Sequence, residues 1–152
     1  MKNTSLCYIE HNGKYLMLHR IKKKNDENRD KWIGVGGKFE SGESPFDCAH
    51  REIYEETGFK NLELSYRGIV TFVSDCYGTE YMHLFTAPAD SNEIPKSCDE
   101  GELVWIDKQD ILNLPIWEGD KVFLRLLDEE KKFFSLKLVY QGDKLISAIK
   151  EC

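Results

Sequence analysis

No apolar run in this 152-residue chain approaches the ~20 residues needed to span a bilayer. The opening Met1-Lys2-Asn3-Thr4-Ser5 has no apolar signal core, so the protein is expected to be soluble, unexported and cytoplasmic. Its cysteines, Cys7, Cys48, Cys76, Cys98 and Cys152, are odd in number, widely spaced and never form a C-x-x-C pair. That argues against a disulfide framework or a zinc knuckle and agrees with a reducing compartment. Basic charge is also short. With 21 Lys and Arg against 27 Asp and Glu the net charge is -6, which excludes a protein that holds long nucleic acid on a basic face. The one basic cluster, Lys22-Lys23-Lys24 with Arg29 and Lys31, lies in a hydrophilic stretch. It reads mainly as solvated loop charge, with one or two residues left to steer an anionic substrate. His11, His19, His50 and His83 show no ligand spacing and read as structural or exposed. Gly34-Val35-Gly36-Gly37-Lys38 lacks the G-x-x-x-x-G-K-[ST] spacing of a P-loop, and Phe39 follows the lysine.

What is present suffices for a core: 41% of residues are hydrophobic and 12% aromatic, in a length typical of one domain, taken here as 1–152. Leu6 to Ile9 and Tyr15 to Leu18 flank an Asn12-Gly13 turn and predict a hairpin. Trp32 to Gly37 is too rich in glycine for an ordinary strand interior, so close backbone approach is expected there. Further strands are expected near 64–74, 81–87, 103–106, 133–140 and 145–149. A helix should begin with Ser44 as N-cap, Pro45 at the first position and Asp47 three residues after the cap, and end at Gly58. A short helix is predicted over 107–112 and another over about 120–130, with Val122, Phe123, Leu126 and Leu127 on one stripe. There is no internal repeat or low-complexity tract. The class is α+β, an α/β/α sandwich with a mixed sheet.

The acidic spacing carries the chemistry. Glu52, Glu55 and Glu56 stand at i, i+3 and i+4, so their carboxylates share one helix face and repel by a few tenths of a kcal/mol per pair. Negative charge near a helix C-terminus also opposes the macrodipole. A solvated acidic face is the plain alternative, yet Phe46, Ala49 and Ile53 line the neighbouring stripe and should bury it in the core beside these acids. A hard divalent cation with oxygen ligands would offset the repulsion. Arg51, one turn before Glu55, can hold a carboxylate by a charge-assisted bond.

Gly37 to Phe59 resembles the Nudix box, Gly-x5-Glu-x7-Arg-Glu-U-x-Glu-Glu-x-Gly-U with U apolar, at every defined position. Such a match arises by chance on the order of 10⁻⁹ per starting position from average residue usage. The resemblance implies a loop-helix-loop in a Nudix sandwich. It implies Mg²⁺, or Mn²⁺ in its place, on Glu52, Glu55, Glu56 and the Gly36 carbonyl. Mg²⁺ so held polarises phosphate oxygens and acidifies a water for in-line attack on a diphosphate. Asp99-Glu100-Gly101-Glu102 matches a loop whose glutamate reaches the metals in MutT-like members, and Glu100 fits that position as extra ligand or general base. With Arg51 these four glutamates form the expected catalytic set.

The resemblance continues through Leu114-Pro115-Ile116-Trp117-Glu118-Gly119-Asp120 and Lys131-Lys132-Phe133-Phe134 into the MutT-like branch that hydrolyses 8-oxo-dGTP. It implies a purine pocket in which Asp120 accepts from guanine-type N–H groups and Trp117 and Phe72 stack on the ring, with Lys38 and Ile33 completing the substrate site. Two departures stand out: Gly119 replaces the first of two adjacent aspartates of the vertebrate oxidised-purine enzyme, and Ile33 replaces its amide side chain. The expected activity is release of a nucleoside monophosphate and pyrophosphate from an oxidised purine triphosphate, by a monomer or homodimer. Another nucleoside diphosphate derivative such as ADP-ribose, and a non-catalytic nucleotide sensor, are the alternatives.

Overall fold

The computed structural model describes residues 1–21 and 28–152; the Lys22-Lys23-Lys24 cluster lies outside the described residues. In chain order the elements are β1 (Lys2–His11), β2 (Lys14–Arg20), β3 (Trp32–Ile33), β4 (Val35–Lys38), α1 (Pro45–Thr57), β5 (Ser65–Ser74), β6 (Gly78–Pro88) and β7 (Gly101–Asp107). A 3-10 helix (Lys108–Asn113), α2 (Glu118–Glu129), β8 (Phe134–Gln141) and β9 (Lys144–Lys150) follow. The strands form one mixed sheet in the order β3-β2-β1-β6-β5-β8-β9, with β4 also on β1 and β7 also on β2. β1 runs parallel to β6, and β5 parallel to β8.

β1 shows why the sheet has helices on both faces. Its successive residues point to opposite sides. Leu6 and Tyr8 join the core under α2 with Phe123, Leu124 and Leu127, whereas Cys7 and Ile9 join the core under α1 with Ala49 and Ile53. A strand covered on both faces reads as an unbroken apolar run, as Leu6 to Ile9 does. The expected sandwich is therefore observed, and the expected hairpin turns at Asn12 and Gly13, both at positive φ.

α1 starts and stops as its sequence prescribes. Ser44 Oγ accepts from the Asp47 N–H at 3.1 Å, Asp47 Oδ2 accepts from the Ser44 N–H at 3.0 Å, and Gly58 closes the helix at φ 81°. The glycine-rich strand β4 lies close to β1: a Cβ at Gly36 would overlap the Ser5 carbonyl.

Three expectations need correction. The segment near 107–112 is a 3-10 turn shifted to 108–113, too short for a stable α-helix. The last helix starts at Glu118 rather than near 120, so Asp120 lies inside its first turn. Phe46 is exposed and packs edge-on against Tyr66 and Phe85, because it occupies the first turn of α1 and overhangs the core that Ala49 and Ile53 enter. Among the described residues no helix is long and apolar enough to cross a membrane.

Candidate active site

Arg51 organises the acidic face of α1. Its guanidinium grips both oxygens of Glu43, from Nε at 2.7 Å and Nη2 at 2.9 Å, and donates from Nη1 to Glu52 at 2.8 Å and Glu55 at 3.3 Å. Nη2 also donates to the Lys38 carbonyl at 2.9 Å, tying β4 to the helix. The bidentate grip of Arg51 holds the Glu43 carboxyl down at about 2, with the Glu40 N–H adding to it, while the same contacts raise Arg51 itself. Glu43 was a fixed position of the motif with no assigned role. Its role is legible only once the loop folds back on the helix.

The three helix glutamates occupy three environments. Glu56 is 6% exposed and accepts the Gly36 N–H at 3.1 Å. Burial first, then the charges of Glu52 and Glu100 and a hydrogen bond shared with Glu100, push it up to about 9. Glu52 sits at the cavity wall, raised by burial against the opposing pull of Arg51. A Cβ at Gly37 would meet the Glu52 carboxylate at 2.5 Å, so this glycine makes room for a side chain of the protein itself. Glu55 is exposed on the outside of the helix.

Glu100, at the head of β7, bonds to Arg20 of β2 at 3.2 Å. The donor atoms of Glu56, Cys98 and Glu100 all lie within 4.8 Å of one another. Burial raises the Cys98 thiol, which keeps it protonated and a poor ligand for a hard ion. Among carboxylates this close, Glu56 must carry a proton unless a cation replaces it. That requirement, met by hard oxygen donors, suits a divalent ion.

A cavity of about 970 Å³ links this acidic end to an aromatic one. Of the residues predicted for the site it brings together Gly36, Lys38, Ile33, Arg51, Glu52, Glu100, Phe72, Trp117 and Asp120; Glu55 and Glu56 are not in its lining. Trp117 is buried, its Nε1 donates to Asn28 Oδ1 at 2.8 Å, and the Lys31 ammonium lies 4.7 Å from its ring centroid. Phe72 meets Trp117 edge-on at 6.0 Å and Tyr140 at 4.8 Å. Asp120 is 7% exposed and pushed up to about 8, by burial first, with Lys31 opposing and Glu80 adding to it.

Asn28, Glu80 and Tyr140 escaped sequence reasoning, since each reaches the site from a different element. The Tyr140 hydroxyl accepts the Gly119 N–H at 2.6 Å, at the start of α2. A Cβ at Gly119 would meet Leu138 at 2.5 Å and this hydroxyl at 2.7 Å. A side chain at the position where this glycine stands in place of an aspartate would therefore have to displace the ends of Leu138 and Tyr140. Gly119→Ala is expected to cost about 1–3 kcal/mol by overpacking, read as a lower urea midpoint; an unchanged midpoint would contradict the packing described.

Comparison with known proteins agrees with this geometry. The profile of the NUDIX domain family matches residues 2–127. The uncharacterized Nudix hydrolase YvcI of Bacillus subtilis is 35% identical over 125 residues, covering 79% of this chain and 75% of its own. The oxidized purine nucleoside triphosphate hydrolase of Danio rerio is 32% identical over 127 residues, covering 82% and 79%. A MutT protein of Bacillus halodurans superposes with a TM-score of 0.84 at 26% identity, covering 99% of this chain and 98% of that one. This chain belongs to the Nudix hydrolases, enzymes that act on pyrophosphate bonds of nucleotide derivatives and generally use a divalent metal.

Proposed function

We propose that this protein is a Mg²⁺-dependent diphosphatase of purine nucleoside triphosphates, with the oxidised nucleotide 8-oxo-dGTP as its preferred substrate, and that it cleanses the cytoplasmic nucleotide pool. The observation that carries the reading is the nearly buried Asp120 carboxyl, which shares one cavity with Trp117 and Phe72 and with Glu52 and Glu100. The resemblance to the zebrafish enzyme supports the same substrate class.

Glu52, Glu56, Glu100 and the Gly36 carbonyl would hold the ion, with Glu55 as the outermost member of the set. Mg²⁺ bound there supplies charge neutralisation of the triphosphate and a more acidic water. Arg51 orients Glu52 and fixes the loop through Glu43 and Lys38. Glu52 or Glu100, both of which line the cavity, accepts the proton of the attacking water. Lys38, exposed at the cavity rim, meets a phosphate oxygen. At the far end Asp120 accepts from the base edge, Trp117 and Phe72 pack on its ring, and Ile33 closes the apolar wall. Water adds to phosphorus, the anhydride bond between the α and β phosphorus atoms opens, and nucleoside monophosphate and pyrophosphate leave. We further propose that 1–152 is one Nudix domain, because Leu138 and Tyr140 of β8 pack directly under the start of α2.

Product analysis tests the chemistry. With Mg²⁺, 8-oxo-dGTP should yield the monophosphate and pyrophosphate in equal amounts. Release of inorganic phosphate and a diphosphate would contradict the assigned bond.

A further inference from the structure

Asp120 lines the cavity, and its carboxyl has no side-chain hydrogen bond among the described residues. A carboxyl group more than nine-tenths buried and without such a partner is costly, so it is built to meet a ligand. Gly119, with no side chain, offers it no partner.

A second carboxylate approaches from the sheet. Glu80 of β6 stands directly opposite Phe72 in the antiparallel register, and opposite Lys2 in the parallel register with β1. Directly paired residues project from the same face, so Glu80 emerges beside the ring that packs on Trp117. It lines the same cavity as Asp120. Thr4 Oγ1 donates to its Oε2 at 2.8 Å and the Lys2 ammonium lies 3.5 Å from its Oε1, so the carboxylate is held in one orientation with lone pairs left over.

We propose that Glu80 is a specificity-determining residue that reads the substrate's base together with Asp120, forming an acceptor pair for a guanine-type edge. The inference rests on the purine triphosphate reading above. A guanine-type base carries N–H donors on two adjacent positions, N1 and N2, and so offers one to each carboxylate. Thymine presents a single N–H between two carbonyl oxygens, so one of those oxygens would face the Glu80 carboxylate without a proton between them. The pair therefore selects for guanine-type bases and against thymine.

The test compares wild type and Glu80→Gln with Mg²⁺ on 8-oxo-dGTP, dGTP and dTTP, with melting temperature as the fold check. The expected result is a fall in kcat/KM of about 10- to 100-fold on both guanine nucleotides with little change on dTTP, so that the guanine preference collapses. Glu80→Met, which keeps the volume beside Met82, should reproduce the collapse and serves if the glutamine variant is unstable. A wild-type guanine preference retained in the variants, or an equal loss on all three nucleotides, would overturn the role of Glu80 and leave the purine reading intact. A wild type with no guanine preference would overturn both.

Discussion

Glu56→Gln is expected to abolish hydrolysis while making the metal-free protein more stable at neutral and alkaline pH. Under the proposed mechanism Glu56 supplies charge to the cation, and losing that costs several kcal/mol of transition-state stabilisation, a fall of at least ~10³-fold in kcat. Stability moves the other way. An unfolded Glu56 releases its proton near pH 4.5, but the folded one keeps it until about pH 9, chiefly because it is buried, and next because of Glu52 and Glu100. Between those values the folded state binds the extra proton, so each pH unit removes up to about 1.4 kcal/mol of unfolding free energy. The contribution is full below pH 4.5 and is lost as pH rises through 9. Glutamine keeps an oxygen for the Gly36 N–H and needs no proton. In EDTA the wild-type melting temperature should therefore fall steadily from pH 5 to 9, and that of the variant should fall less. Asp120, raised to about 8, gives a residual slope of the same sign in both proteins. Parallel pH profiles would show that Glu56 is not the buried acid described here.

Arg51→Ala should be the most destabilising single change in the acidic loop. The guanidinium is largely enclosed and serves Glu43, Glu52, Glu55 and the Lys38 carbonyl together. Its removal leaves partly buried carboxylates facing one another, a loss of about 3 kcal/mol, which for a chain of this size lowers the melting temperature by roughly 6–12 °C. Arg51→Lys should recover only part of this, since an ammonium cannot match both oxygens of Glu43 and reach Glu52 at once. Thermal unfolding of the two variants beside wild type checks the claim. A lysine variant as stable as wild type would show that charge alone suffices and that the fork is idle.

The legible parts of this molecule were local ones. Ser44, Pro45, Asp47 and Gly58 lie within one helix and its caps, so spacing along the chain is spacing in space, and the helix came out as read. The carboxylate pattern at 52, 55 and 56 was legible for the same reason, but not that one member would be buried, one half-buried and one exposed. That partition depends on β4 and β7, which cover Glu56 through Gly36 and Glu100. Phe46 shares the periodic stripe of Ala49 and Ile53, yet a stripe does not reveal where the sheet ends beneath it. The last helix was expected from about 120; it begins two residues earlier, with the Gly119 N–H satisfied by Tyr140 from β8. Glu80 and Asn28, which join the cavity, and Tyr140, which packs on Phe72 and Trp117, gave no signal at all, since strand pairing and a loop contact bring them there from far along the chain.

The most direct test of the account is kcat/KM with Mg²⁺ on 8-oxo-dGTP, dGTP and ADP-ribose, with Glu55→Gln/Glu56→Gln protein as the blank. The account predicts metal-dependent turnover highest on 8-oxo-dGTP, clear on dGTP, weak on ADP-ribose and absent from the blank. Equal rates on all three, or a preference for ADP-ribose, would contradict it.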